Sequence, residues 1–264
     1  MSNADVVIAA LRDVYDDLAG RVSGLTDEQL AGPTAASEWD VSQVLSHLGS
    51  GAEISQHTLQ VSLEGKPNPG LEFNKGVWAR YDNAGRRERL EWFLSANEAL
   101  TQSYESLNEE TRESLRIDLG FLPTPVDVAA AGSFRLNELA FHAWDVLVSF
   151  DQDATVAPQA VPLLLPVVNN FAGFLGKPEA LNGRELTVAV TTADPASALT
   201  LRLAHRVAVS DGAPETADGT LSLPAEAWLR LVTGRLKPPY IPSGKITTTG
   251  EADLDLIRRV FPKF

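Results

Sequence analysis

The chain has 264 residues, of which 44% are hydrophobic and 22% charged, as in a soluble globular protein with one large domain or two ordinary ones. It contains no cysteine, which excludes a disulfide framework, a cysteine-ligated metal and a protein thiol nucleophile, so any thiol chemistry needs a thiol from outside. Its formal net charge of −13 argues against a nucleic acid or an anionic membrane as partner.

The first half of the chain has the apolar spacing of amphipathic helices. Its N-terminal segment carries Asp5 and no basic region, and its apolar residues are interrupted early, so we expect no signal peptide there. No run reaches the roughly 18 apolar residues of a membrane-spanning helix, so we expect a cytoplasmic protein. Helical spacing predicts a first helix from about Asp5 to Leu25, after which Thr26-Asp27-Glu28-Gln29 has the form of a capping box.

Three more long helices are expected before residue 152. The second begins after Asp40 as N-cap, and its apolar stripe is Val41, Val44, Leu45, Leu48 and Ala52. Residues 65–85 are rich in Gly, Pro and Asn, which predicts a long loop with at most one helical turn around Val77. A third helix covers residues 90–107, and a fourth runs from about Val126 to Phe150. The pattern predicts a four-helix bundle in a first domain of residues 1–152.

In the second half of the chain the spacing of the apolar residues changes from the helical period to the period of strands. Residues 157–175 predict a helix that bridges two domains, and from residue 185 the apolar residues alternate as they do in strands. Strands are expected at 186–190, 199–203, 207–209, 221–223 and 245–249, with helices from Pro224 to Thr233 and from Glu251 to Phe261. Residues 153–264 are therefore predicted to form a small α+β domain, which makes the fold class α plus α/β with two domains.

A polar strip on the fourth helix carries the candidate chemistry. Glu138 and His142 are four residues apart, so they share a helical face and can bind one metal ion together. The strip of Arg135, Glu138, His142, Asp145 and Ser149 lies between two apolar sides of the helix, and such a strip is expected to line a pocket.

His47 has a comparable position on the second helix. It lies beside the apolar stripe, and the small residues Ser46, Gly49, Ser50 and Gly51 around it would leave room for a ligand. If the second and fourth helices are neighbours, His47, Glu138 and His142 form a three-ligand site. Three protein ligands leave an open position, as in catalytic zinc centres.

Simpler interpretations stay open for each of these residues. A Glu and a His four apart are most often a solvated pair, and Arg135 is placed to pair with Glu138 one turn away. Asp145 either orients a ligand or is a surface charge. His57 falls on a different face and is interpreted as a surface histidine, and His205 receives no role.

Two motifs resemble the mycothiol-dependent maleylpyruvate isomerase family, whose bundle belongs to the DinB-like metal-binding proteins. They are Glu38-Trp39-Asp40-Val41 with Ser46-His47-Leu48, and Asn137-Glu138-Leu139-Ala140-Phe141-His142-Ala143-Trp144-Asp145. Leu221-Ser222-Leu223-Pro224, Thr233-Gly234-Arg235 and Thr249-Gly250-Glu251 are similar to the family's sterol-carrier-like C-terminal domain. The resemblance spans nearly the whole chain.

The resemblance implies a divalent metal, usually zinc, bound by His47, Glu138 and His142, with mycothiol as thiol cosubstrate. It also implies that Arg235 contacts an anionic substrate, although a cation stabilising the end of the preceding helix is an equal alternative. Residues 65–85 and 121–125 match no pattern and are expected to govern substrate choice. The partners are then a small thiol and a small electrophile, and the protein a monomer or homodimer.

A mechanism follows as a hypothesis from this resemblance. A thiol coordinated to a metal loses its proton, and the thiolate is a strong nucleophile near neutral pH. When the thiolate attacks a conjugated double bond, the result is isomerisation if the thiol leaves again and S-transfer if it stays attached. Arg235 would balance the charge of a substrate carboxylate or of a developing enolate. Glutathione or bacillithiol could replace mycothiol. The alternatives are a non-catalytic carrier of a small apolar molecule and a regulatory bundle without turnover.

Overall fold

The computed structural model describes residues 3–262 of the chain. The first and last two residues, which the predicted domain ranges include, lie outside the described residues. Contacts divide the chain into two compact units, with the boundary between Phe150 and Asp151. No described helix is both long enough and apolar enough to cross a membrane.

Helices form the whole of the first unit apart from its connections. They are α1 (Asn3–Val22), α2 (Asp27–Leu30), α3 (Val41–Leu63), α4 (Leu71–Asn83), α5 (Arg86–Glu105), α6 (Glu109–Ser114) and α7 (Val128–Leu147). The four longest, α1, α3, α5 and α7, make the predicted bundle, because α3 packs against α5 and α7 while α1 packs against the same two helices.

Capping fixes where the two central helices begin. Asp40 accepts a hydrogen bond from the Gln43 backbone N–H, and the Gln43 side chain accepts one from the Asp40 N–H, which makes a capping box for α3. Asp127 caps α7 by accepting from the Ala130 N–H. The predicted apolar stripe of α3 is confirmed, since all five of its residues are buried: Val41, Val44, Leu45, Leu48 and Ala52.

The prediction of a long loop over residues 65–85 is wrong for most of that range. Only its start and its last two residues are irregular, and Gly70 at φ 81° precedes the 13-residue helix α4. Val77 and Tyr81 are four residues apart and buried, at 5% and 2% exposure, so α4 has a short apolar stripe that packs on α3. The glycines and asparagines hid this stripe because they are poor helix formers.

The second unit is a five-stranded sheet with helices. It contains α8 (Val161–Leu175), β1 (Leu186–Ala193), β2 (Ser197–Leu203), β3 (Val207–Asp211), β4 (Gly219–Pro224), α9 (Ala225–Val232), β5 (Thr247–Gly250) and α10 (Leu254–Val260). The strand order is β3-β2-β1-β4-β5, with β1 and β4 parallel and the other pairs antiparallel. Alternate residues of β1, β2 and β4 are buried, as the period of two predicts.

Some predicted boundaries differ by a few residues. The first helix ends at Val22 rather than Leu25, and the closing helix starts at Leu254 because Asp253 caps it by accepting from two backbone N–H groups. The helix expected to bridge two domains, now α8, belongs to the second unit, where it packs on α9 and β3. The predicted fold class, a helical bundle followed by a small α+β domain, is confirmed.

Candidate metal centre

The three side chains proposed as metal ligands converge where α3 lies beside α7. Nε2 of His47 lies 3.0 Å from Oε2 of Glu138, and Nε2 of His142 lies 3.8 Å from the same oxygen. Each residue offers one ligand atom, and these three atoms all lie within 4.8 Å of one another. All three side chains are partly exposed, so a small molecule can reach them.

Asp145 lies behind the cluster and is not a surface charge. Its carboxylate is fully buried, and Oδ2 lies 2.9 Å from Nδ1 of His142. A carboxylate at this place favours the tautomer with its proton on Nδ1, so Nε2 carries the lone pair and faces Glu138. The arrangement is the carboxylate–histidine pair that commonly orients a metal-binding imidazole.

Replacing Asp145 should weaken metal binding without removing a ligand. We expect Asp145→Asn to lower zinc affinity by about 10–100-fold, because the imidazole of His142 loses the partner that fixes its tautomer. Competition titration against a fluorescent chelator measures this, with Asp13→Asn on the exposed side of α1 as control. Equal zinc affinity in Asp145→Asn and native protein would contradict the assigned role.

Glu138 is held in its ionised form. Partial burial would raise its pKa, but this is outweighed by the hydrogen bond to His47, by the charges that His142 and His47 carry when protonated, and by the charge of Arg135, which together lower the pKa to about 2. The carboxylate therefore remains an anion throughout the neutral range, which suits a metal ligand.

The lowered pKa of Glu138 has a consequence for stability in acid. A carboxyl group whose pKa is lower in the folded chain than its usual value of 4.5 stabilises the fold above that pH, and the contribution is lost as the pH falls toward 2. We expect metal-free native protein to lose more unfolding free energy between pH 5 and pH 3 than Glu138→Gln does. Since nearly half of this side chain is exposed, the difference is modest. Urea titrations at pH 5 and pH 3 measure the free energy of unfolding of both proteins. Equal losses in native protein and Glu138→Gln would contradict the lowered pKa of Glu138.

The Trp39 ring borders the cluster, and a second aromatic pair lies one helical turn away along α7. The indole of Trp39 lies 5.1 Å from the His47 ring and 5.9 Å from the His142 ring, centroid to centroid. One helical turn before Glu138, Phe134 packs edge-to-face with Phe121, which is 67% exposed. The 121–125 segment thus reaches the helical face that carries the cluster.

The small residues around His47 have separate roles. A Cβ on Gly49 would lie 2.7 Å from the Tyr81 ring and 3.0 Å from the Phe93 Cα, so this glycine allows helices to pack closely and does not make room for a ligand. A Cβ on Gly51 would instead lie 2.9 Å from Nη1 of Arg135.

Arg135 does not form the ion pair with Glu138 that its spacing favoured. Its Nη2 donates to the Leu48 carbonyl, 2.7 Å away, and to Oδ1 of Asn97, 2.8 Å away. The guanidinium therefore links α7 to α3 and α5 beside the cluster, and its charge acts on Glu138 from a distance.

Comparison with known proteins identifies the first unit. The sequence profile described as the mycothiol maleylpyruvate isomerase N-terminal domain matches residues 11–147, which is more than half of the chain. The chain belongs to this family. The profile of the SCP-2 sterol transfer family matches residues 175–257, so the resemblance seen in the sequence is confirmed for both halves. No curated protein sequence matches the chain significantly.

Solved structures share the fold of this family member. The chain is similar to the crystal structure of the mycothiol-dependent maleylpyruvate isomerase and to that of its histidine-to-alanine mutant. For each, the TM-score is 0.63 at 13% sequence identity, and the match covers 99% of this chain and 97% of the other. At this identity the likeness establishes the fold.

The remaining residues singled out in this family member are not among the three converging side chains. His57 stacks on Phe73 at 4.3 Å, and His205 is exposed in the second unit. Arg235 is half-buried in the turn that follows α9, and its role stays a prediction.

One feature near the cluster escaped the sequence interpretation. Asn97 is 2% exposed on α5 and accepts from Arg135. The sequence did contain a signal for this contact, because Asn97 falls within the apolar stripe of its helix. An asparagine at such a position predicts a buried hydrogen bond but does not identify the partner.

Proposed function

We propose that this chain is a mycothiol-dependent enzyme whose bundle holds one divalent metal ion, with zinc as the expected metal. The observation that carries the proposal is the convergence of one donor atom each from His47, Glu138 and His142 within 4.8 Å. These residues lie inside the part of the chain that matches the isomerase family, in the predicted first domain of residues 1–152.

The donor set fits such a metal. Two imidazoles and one carboxylate are ligands that zinc binds in proteins, and three protein ligands leave a coordination position open for a small molecule. The buried carboxylate behind His142 is the outer support that such sites use. The ionised state of Glu138 supplies negative charge without requiring a proton to leave near neutral pH.

Each residue then has a defined task. A bound divalent metal would supply Lewis acidity that stabilises a thiolate near neutral pH. Asp145 holds the imidazole of His142 with Nε2 turned to Glu138, and Trp39 covers the two imidazole rings. Arg235 is proposed to bind an anionic group of the substrate, with residues 153–264 as the second domain that carries it.

The reaction we favour is isomerisation. A thiolate that adds to a conjugated double bond turns it into a single bond about which the substrate rotates, and elimination restores the double bond and releases the thiol. S-transfer to a small electrophile uses the same site when elimination does not follow. The family match favours the first reaction, because the family is defined by an isomerase.

A second function is favoured by one separate observation. The match to the SCP-2 sterol transfer family over residues 175–257 supports binding of a small apolar molecule by the second unit, without catalysis. A carrier would need neither a metal nor a thiol.

An isomerase assay separates the two functions. Zinc-loaded protein is mixed with maleylpyruvate in the presence and absence of mycothiol, and the fumaryl product is followed by absorbance. We expect turnover only with both mycothiol and zinc, and none after S-methylation of mycothiol. Failure to turn over with any low-molecular-weight thiol, despite stoichiometric zinc, would contradict the proposed isomerase and favour the carrier.

A further inference from the structure

Phe121 is a large apolar side chain that the fold leaves in solvent. It is 67% exposed, and among the large hydrophobic side chains of residues 3–262 only Phe174 in the second unit is more exposed. Isolated exposed apolar residues are common and need no ligand to explain them. Phe121 is not isolated, because its ring packs edge-to-face on Phe134 of α7 with 5.6 Å between the ring centroids.

The loop that carries Phe121 is fixed at its base. Ile117 and Val126 exchange two backbone hydrogen bonds, of 2.8 and 2.9 Å, which close the loop between them. The start of the loop is tied to a second connection, because the Asn68 side chain donates to the Asp118 carbonyl at 2.7 Å. The chain therefore holds the Phe121 ring in its exposed place by specific contacts.

The aromatic pair, Phe121 and Phe134, adjoins the metal cluster along α7. Phe134 and Glu138 are four residues apart on this helix, so they share one face, with β-carbons about 5–6 Å apart. Helical side chains lean toward the N-terminus of their helix, so Glu138 extends toward the turn that holds Phe134. Phe134 is half-buried and 47% of the Glu138 side chain is exposed, so a molecule at the cluster can also touch the aromatic pair.

We propose that the aromatic pair binds an aromatic ring of the electrophile while the reacting double bond lies at the metal cluster. The inference rests on the proposed function and deepens it by naming the substrate class, a conjugated carbonyl compound with an aromatic ring on its β-carbon. Such a ring extends about one helical turn from the reacting carbon, which matches the separation of Phe134 from Glu138.

The reaction of such a substrate needs no reagent besides the thiol. In S-transfer the thiolate sulfur forms a bond to the β-carbon, and the electron pair of the double bond moves toward the carbonyl group. The α-carbon then takes up the proton that the thiol lost. In isomerisation the same carbon–sulfur bond breaks again after rotation, and the thiol recovers its proton.

The chemistry of the aromatic pair decides which reactant lies against it. Contact with the pair removes apolar surface from water, and a ligand ring gains further from edge-to-face contact with protein rings. Phe121 and Phe134 offer no side-chain hydrogen bond, so the sugar part of mycothiol would lose its bonds to water there without replacement. The ring of the electrophile is therefore the occupant.

Binding of an unreactive probe tests this assignment. The probe is 4-phenylbutan-2-one, and pentan-2-one, which lacks the ring, is the control probe. Calorimetric titration into full-length protein should show that pentan-2-one binds at least about tenfold more weakly than the phenyl compound. In cobalt-substituted protein the metal should increase the relaxation rate of the phenyl protons above its value in zinc-loaded protein.

Point variants assign the binding to the aromatic pair. Phe121→Ala and Phe134→Ala should each weaken binding of the phenyl probe by about tenfold, because each removes a ring that the probe contacts. Leu63→Ala is the control and should bind the probe as native protein does. Leu63 is 44% exposed, and it lies about 24 Å beyond His47 along α3.

Three results would overturn the aromatic site. They are absence of phenyl-probe binding to native protein, equal affinity in native protein and Phe121→Ala, and phenyl protons that bound cobalt does not relax. Phe121→Ala decides the matter even if Phe134→Ala does not fold, because Phe121 is mostly exposed. The titration contains no thiol and no reactive double bond. Turnover of maleylpyruvate without probe binding thus removes only the aromatic site, and probe binding without thiol-dependent turnover removes only the isomerase.

Discussion

Replacing His142 by alanine should abolish stoichiometric metal binding. Native protein washed with a chelator and reloaded should contain about one zinc ion per chain, and His142→Ala close to none. The loss of zinc affinity should exceed the 10–100-fold expected for Asp145→Asn, because His142→Ala removes a donor atom itself. It also leaves the buried Asp145 without the imidazole it faces. Atomic emission spectrometry of dialysed protein measures the content.

Two other histidines serve as controls for this result. His57→Ala and His205→Ala should keep the native zinc content, since one side chain stacks on Phe73 and the other is exposed in the second unit. Circular dichroism should show native helix content in all three variants. Retention of a full zinc equivalent by His142→Ala would show that the cluster is not the metal centre.

Replacing Trp228 by alanine should destabilise the second unit strongly. Trp228 on α9 is fully buried, and its indole N–H donates to Oδ1 of Asn169 on α8 at 2.8 Å. Truncation of a buried tryptophan costs about 3–5 kcal/mol, through lost transfer free energy and the cavity left behind. The amides of β1 and β4 should then exchange with deuterium roughly a hundred- to several-thousand-fold faster.

The same variant should leave the metal content unchanged. All three proposed ligands belong to the first unit, so zinc per chain in Trp228→Ala should equal the native value. Trp78→Ala is the matched control for exchange, because Trp78 is 42% exposed and its removal opens no buried cavity. Unchanged exchange in the β1 and β4 peptides of Trp228→Ala would contradict the packing described for α8 and α9.

The sequence was sufficient to predict the polar strip of α7. Its residues are bounded by apolar side chains on both sides, and a strip of that kind is buried when the helix packs on two neighbours. The structure agrees for Arg135 and Asp145, which are 6% and 0% exposed, and Ser149 at the end of the strip is exposed. Periodicity could therefore indicate which face carries the chemistry.

Contacts between helices could not be predicted in the same way. His47 contacts Glu138 only because α3 packs beside α7. The spacing of residues within one helix predicts which of them share a face, but it does not predict which helix packs against that face. The same limit hid the acceptors of Arg135, since Leu48 lies 87 residues away and Asn97 lies 38 away. The helix α4 was missed because its stripe is only Val77 and Tyr81 among glycines and asparagines.

The proposed function requires that a thiol sulfur binds the metal. Cobalt-substituted protein is titrated with mycothiol, and the near-ultraviolet absorption is followed, because a thiolate bound to cobalt(II) gives an intense charge-transfer band. We expect the band to grow to one equivalent of mycothiol, and to be absent with S-methyl mycothiol and in His142→Ala. Stoichiometric cobalt with no band at saturating mycothiol would contradict thiol activation at His47, Glu138 and His142.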